Sequence, residues 1–117
     1  MTSKRALSFK YAFEGIATAL KDQPNLKFQL CVAVIVLTLG YYFSITEFEW
    51  LVIILVIGFV ITFELTNTAI EEIVDSFTDQ VHPAAKKAKD VAAGAVLAAS
   101  LTAVAVGLII FLPYIVP

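Results

Sequence analysis

A chain of 117 residues that is 60% hydrophobic and only 15% charged, with a mean hydropathy of +0.89, lacks the balance of a water-soluble domain. Three apolar stretches leave little polypeptide for a separate soluble module, so the chemistry has to sit in or beside the bilayer. A single cysteine, Cys31, rules out a disulfide framework or a Cys-rich metal site and reads as a small packing residue.

The net charge of −2 says less than where the charges fall. Lys4, Arg5, Lys10, Lys21 and Lys27 come before or at the start of the first apolar run, and Lys86, Lys87 and Lys89 come just before the last. The connection between the first two runs holds only the acids Glu47 and Glu49. The positive-inside rule then predicts a multi-pass membrane protein with the N-terminus and second loop cytoplasmic and the C-terminal Pro113 to Pro117 outside. The first apolar run starts late and lacks an A-x-A-like site, so it is expected to stay as a span and not to be cleaved as a signal. No nucleic-acid partner is expected.

In chain order, residues 3–21 read as an amphipathic surface helix with Leu7, Tyr11, Ile16 and Leu20 apolar and Lys4, Lys10, Glu14 and Lys21 polar. Asp22-Gln23-Pro24-Asn25 breaks it, because proline lacks a donor and biases its predecessor away from helix; Asn25 can simply close the turn. The first span is expected over about 26–45, ending in the aromatic anchors Tyr41, Tyr42 and Phe43. After a turn at Thr46 to Glu49, the second is expected over about 50–78, since neither glycine nor proline follows Glu64 to stop it. Asp79 to Ala85 form a predicted loop in which Pro83 suits the first turn of a new helix and His82 reads as a turn residue. The third span, within about 84–112, includes an uncharged run of 22 residues, Val91 to Leu112, rich in alanine and glycine that let helices approach closely. The fold class is therefore an all-α membrane protein, one domain over 1–117, with a surface helix and three transmembrane helices.

At about 100° per residue, Glu64, Asn67, Glu71 and Asp75 fall within about 80° of arc on the second span, and Glu72 points elsewhere. Glu64 lies about 21 Å of rise from Trp50 and Glu71 about 31 Å, against a hydrocarbon core of about 30 Å. An acid at the depth of Glu64 is costly, about 2.5–3.5 kcal/mol for a central Asp and less toward the interface, so something has to offset it. It can be protonated, or paired with Asn67 or a neighbouring helix, for packing alone. A polar face climbing from lipid depth to water also lets a buried hydroxyl meet a soluble phosphate donor. Acids at its outer end suit Mg²⁺, which takes one or two carboxylates plus substrate phosphates. Lys89 and Asp90 add a phosphate-binding cation and a further acid, although Lys89 alone serves equally as an interfacial anchor. The P-loop and G-x-G-x-x-G patterns are both absent from the sequence.

The segment Glu64 to Asp75, E-x-x-N-[ST]-A-I-E-x-x-x-D, resembles the signature of the prokaryotic diacylglycerol kinase and undecaprenol kinase family. The run from His82-Pro83 through Ala88-Lys89-Asp90 to Ala95-Val96 looks like that family's H-x-x-x-x-x-A-K-D-x-x-x-x-A-V region, and Tyr11-Ala12-Phe13-Glu14-Gly15-Ile16 matches its N-terminal helix. The resemblance implies a homotrimer with active sites shared between subunits at the cytoplasmic interface. It also implies Mg²⁺-assisted transfer of the ATP γ-phosphoryl group to a lipid alcohol, diacylglycerol or undecaprenol. Glu64 would be the general base, Glu71 a metal ligand, and Asn67 and Asp75 site-shaping polar groups, with Tyr11, His82, Lys89, Asp90 and Asp75 on the nucleotide side.

One departure stands out. Where the family has the glutamate of E-x-N as a second metal ligand, this chain has Gln23-Pro24-Asn25, and a neutral amide offers oxygen without charge. Asp22 takes that place after a one-residue shift, or Mg²⁺ rests on Glu71 and ATP alone, or the enzyme is impaired; the first two together are favoured. The rival functions are a small oligomeric transporter that uses Glu64 for a proton or cation, and a non-catalytic lipid-binding relative.

Overall fold

The computed structural model describes residues 3–77 and 82–117. Its four helices are α1 (Lys4–Asp22), α2 (Pro24–Phe43), α3 (Glu47–Phe77) and α4 (Pro83–Ile115), and the last three are long and apolar enough to cross a membrane. The protein is an all-helical membrane protein.

Backbone chemistry sets where the helices begin and end. Ser3 caps α1 by accepting from the Ala6 N–H at 3.1 Å. Gln23 is extended (φ −111°, ψ 106°) and hands the chain to Pro24 at the first turn of α2, where the missing N–H costs nothing. α2 stops at Phe43, two residues short of the expected Ile45, because Ser44 adopts the left-handed conformation (φ 53°, ψ 53°). Thr46 and Glu49 then form a reciprocal capping box: Glu49 N–H donates to Thr46 Oγ1 at 3.2 Å and Thr46 N–H to Glu49 Oε1 at 3.0 Å. That pairing starts α3 at Glu47, ahead of Trp50. At the far end, His82 Nδ1 accepts from the Ala84 N–H and α4 begins at Pro83, so Pro83 to Ala85 are helical where a loop was expected. Thr78, the expected end of α3, and the start of the predicted loop at Asp79 lie outside the described residues.

Two sequence expectations fail for geometric reasons. Pro113 does not end α4, which runs to Ile115; so near the terminus the ring forfeits one hydrogen bond without breaking a long ladder. On α1, Leu7 and Tyr11 lie nearly opposite Ile16 and Leu20, and the true apolar stripe is Phe9, Phe13, Ile16 and Leu20.

The molecule is a slab of 53 × 45 × 21 Å, and few apolar side chains are buried within one chain. Phe28, Phe59, Leu101 and Ile109 face outward, as lipid permits. A small core of Ile45, Ile53, Ile110 and Phe111 closes the end nearest the Thr46 turn, beside Trp50 and Phe43. There Tyr114 O–H donates to Glu49 Oε1 and ties α4 to the start of α3. A Cβ on Gly40 would lie 2.8 Å from Trp50 Cη2 and 3.1 Å from Ile45 Cδ1, so only glycine lets α2 approach the indole this closely.

Gly40→Ala is therefore expected to destabilise the protein by about 1–3 kcal/mol, the usual penalty for overpacking. Thermal unfolding in detergent micelles checks it, and an unchanged midpoint would mean the indole is free to move aside.

Candidate functional site

In lipid a helix has to satisfy its own backbone, and α3 does so without a break from Glu47 to Phe77. That continuity puts Glu64, Asn67, Glu71 and Asp75 on one face. Accessibility rises along it: Glu64 is 3% and Asn67 8% exposed, Glu71 is half-buried, and Asp75 is exposed. The polar ladder thus starts inside the protein and surfaces about 16 Å further along the helix axis.

The groups on this face are linked to different degrees. Asn67 Nδ2 donates to Glu71 Oε1 at 3.2 Å, and among the described residues the buried Asn67 Oδ1 has no partner. An orphaned buried acceptor costs about 1–3 kcal/mol unless a donor or cation arrives. Among the described residues, the only side-chain hydrogen bond at Glu64 is the one its backbone carbonyl accepts from Thr68 Oγ1 at 3.0 Å.

At the outer end, Lys89 of α4 reaches across to Asp75 with Nζ 2.8 Å from Oδ1. Asp90 is turned about 100° away and pairs instead with Lys86 at 2.6 Å on the exposed side of α4. His82 is occupied in capping α4, Tyr11 is exposed on α1, and Gln23 is half-buried at the α1–α2 junction. Among the described residues no hydrogen bond joins the Gln23 side chain to Glu71. The structure therefore gathers Glu64, Asn67, Glu71, Asp75 and Lys89 in one strip and leaves Tyr11, Gln23, His82 and Asp90 around it.

Among the described residues no group of three His, Cys, Asp or Glu side chains encloses a metal position. The available donors are the Glu71 carboxylate and Asn67 Oδ1, unpartnered among the described residues, two hard oxygens one helical turn apart. They fit a Mg²⁺ that completes its shell with phosphates and water, not a closed cage. A shallow hollow of about 520 Å³ adjoins Asn67, lined by Ala88, Ala92 and Lys87 of α4, where small side chains leave the room.

Sequence reading missed polar contacts between helices, among them the tie of Tyr114 to Glu49 and one nearer the strip. Gln29 Nε2 of α2 donates to Ser100 Oγ of α4 at 3.4 Å, between residues 71 positions apart. The available signal was an amide and a hydroxyl inside spans otherwise built of hydrocarbon, but their pairing depends on helix register.

A family model described as "Prokaryotic diacylglycerol kinase" matches residues 10–111, taking in the whole strip. The chain belongs to the prokaryotic diacylglycerol kinase family. It is 43% identical over 106 residues to the undecaprenol kinase of Bacillus subtilis (strain 168), covering 91% of this chain and 86% of that protein. It is 39% identical over 108 residues to a diacylglycerol kinase of Synechocystis, covering 92% of this chain but only 62% of that longer relative. A diacylglycerol kinase of Haemophilus influenzae is 29% identical over 83 residues, 71% of this chain and 70% of that protein. This membrane protein is thus a lipid kinase, and the transporter reading falls away.

If the lipid kinase keeps Asn67 Oδ1 unpaired for its chemistry, Asn67→Leu should leave the thermal midpoint unchanged or raise it, since an orphaned polar atom is removed at similar volume. A fall of several degrees in a detergent melt would instead show Asn67 to be a structural tie.

Proposed function

We propose that the protein transfers the γ-phosphoryl group of ATP to the hydroxyl of diacylglycerol or undecaprenol at the cytoplasmic face of the inner membrane, with Glu64 as general base and Mg²⁺ held at Glu71. The observation that supports this most is the single α3 face on which burial gives way to exposure between Glu64 and Asp75. A lipid hydroxyl can reach only the buried end and a nucleotide only the exposed end.

The spacing suits the reaction. Asn67 is one turn, about 4.5 Å of rise, from Glu64, and Glu71 about 6 Å further. Asn67 Oδ1 and Glu71 would hold the cation, and a nucleotide phosphate bound there would lie toward Glu64 along the same face. Mg²⁺ there would neutralise phosphate charge. Glu64 accepts the hydroxyl proton as the lipid oxygen bonds to the γ-phosphorus and the bond from phosphorus to the β–γ bridging oxygen breaks, releasing ADP. Lys89, oriented by Asp75, presents an ammonium to the phosphates, and Tyr11, His82 and Asp90 border the nucleotide. Gln23, or Asp22 beside it at the end of α1, would supply a further oxygen to the cation.

The same reading takes residues 1–117 as one kinase domain in a homotrimer with sites shared between subunits. The broad outward-facing apolar surface supports assembly. Clustering of all the basic residues in α1, at the start of α2 and at the start of α4 supports a cytoplasmic N-terminus and an outer C-terminus.

Purified Glu64→Gln protein assayed for transfer of labelled phosphate should lose roughly 10²–10⁴ in kcat, the range of general-base catalysis, with the KM for ATP little changed. Glu71→Gln should demand more Mg²⁺ for half-maximal rate. Parental turnover by Glu64→Gln would remove the base assignment.

A further inference from the structure

A groove of about 470 Å³ runs between α2, α3 and α4 on the apolar side of Glu64. On α3 it is lined by Ile53, Val56, Ile57, Val60 and Ile61, whose directions span about 140° of arc with Glu64 close to its centre. The groove and the acidic strip are thus one face of one helix, apolar up to Ile61 and polar from Glu64.

Among the described residues that line the groove, only Gln29 and Ser100 have polar side chains. Their level is fixed by two contacts: Asp75 meets Lys89, and Glu49 meets Tyr114. In an antiparallel pair such contacts keep a nearly constant sum of residue numbers, and on that register Ser100 stands opposite Glu64. Ser100 also differs from Thr38, Thr66 and Thr102, whose hydroxyls bond back to the carbonyl four residues earlier in their own helices. Among the described residues its oxygen has Gln29 as its one partner, at a long 3.4 Å, so the hydroxyl proton is available.

We infer that Gln29 and Ser100 seat the hydroxyl of the acceptor lipid beside Glu64, and that the groove beyond takes a single hydrocarbon chain attached directly to that hydroxyl, as in a long polyprenol. This rests on the proposed role of Glu64 and adds the lipid's binding residues and class. A diacylglycerol would bring two ester carbonyls into the same stretch, where the lining past Gln29 and Ser100 is hydrocarbon. Carbonyls desolvated without donors are penalised, and a bare chain is not. A helix of a second copy of this chain is the competing occupant.

Gly107 lines the groove seven residues, about 10 Å, from Ser100, and a Cβ built there meets nothing within 4 Å. Gly107→Leu therefore projects a branched side chain into the groove from a position with room for its Cβ. The ratio of kcat/KM for undecaprenol over farnesol should fall at least ten-fold in this variant, and an unchanged ratio overturns the inference. Gln29→Leu should raise the KM for the alcohol several-fold while the KM for ATP stays put, and a change confined to ATP overturns it. In the parent protein, undecaprenol should be preferred to dioleoylglycerol at least ten-fold, and equal or reversed preference overturns the single-chain class.

Photolabelling of the unmodified protein with a diazirine-bearing farnesol gives a readout that needs neither variant nor turnover. Label in residues 28–36 and 100–108 supports the groove, and label confined to α1, or crosslinking of this groove to a second copy, overturns it. Photolabelling Glu64→Gln protein separates the two claims. Parental turnover with a labelled groove removes only the base, and lost turnover with an unlabelled groove removes only the chain site.

Discussion

The governing constraint is that α3 does not break. Within hydrocarbon every backbone N–H and C=O has to be satisfied in the helix itself, so 31 residues from Glu47 to Phe77 form one rod. On such a rod each residue has a fixed height and direction. A face that is isoleucine and valine from Ile53 to Ile61 and carboxylate or amide from Glu64 to Asp75 is therefore a fixed path from oil to water. The candidate site is laid out along that path.

α4 converts the path into a site. The tie of Glu49 to Tyr114 at one end and of Asp75 to Lys89 at the other holds the two long helices in register, and in that register an ammonium stands at the wet end and a hydroxyl at the dry end. The Asp75–Lys89 pair is exposed, and ion pairs in that setting contribute little stability, so its value lies in orientation. Burial falls instead on Glu64 and Asn67, and among the described residues the Asn67 Oδ1 acceptor lacks a partner, so stability is given up there. Proteins concentrate such concessions where ligands bind.

Much of this was legible in the sequence because it depends on period and depth within one helix. The spacing of Glu64, Asn67, Glu71 and Asp75 fixes a common face in any unbroken helix, and Pro24 and Pro83 mark two starts through the chemistry of a missing N–H. What escaped depends on how separate helices meet. The approach of Trp50 to Gly40, the crossing of Gln29 to Ser100 and the tie between Tyr114 and Glu49 are invisible until the helices are packed. The Thr46–Glu49 capping box was readable in principle, as T-x-x-E before an apolar run, but the turn hid it. On α1, eye-grouping of Leu7 and Tyr11 with Ile16 and Leu20 ignored a half-turn of phase.

The central claim is that one face of α3 passes from lipid to water between Glu64 and Asp75. Nitroxide labels on single cysteines at 57, 60, 64, 67, 71 and 75, in a Cys31→Ser background and native-like vesicles, measure it directly. Collision rates with oxygen should fall, and those with a water-soluble nickel chelate should rise, smoothly from 64 to 75, with 57 and 60 shielded from nickel. Strong nickel contact at 57 and 60 with 71 and 75 buried in lipid would contradict the account.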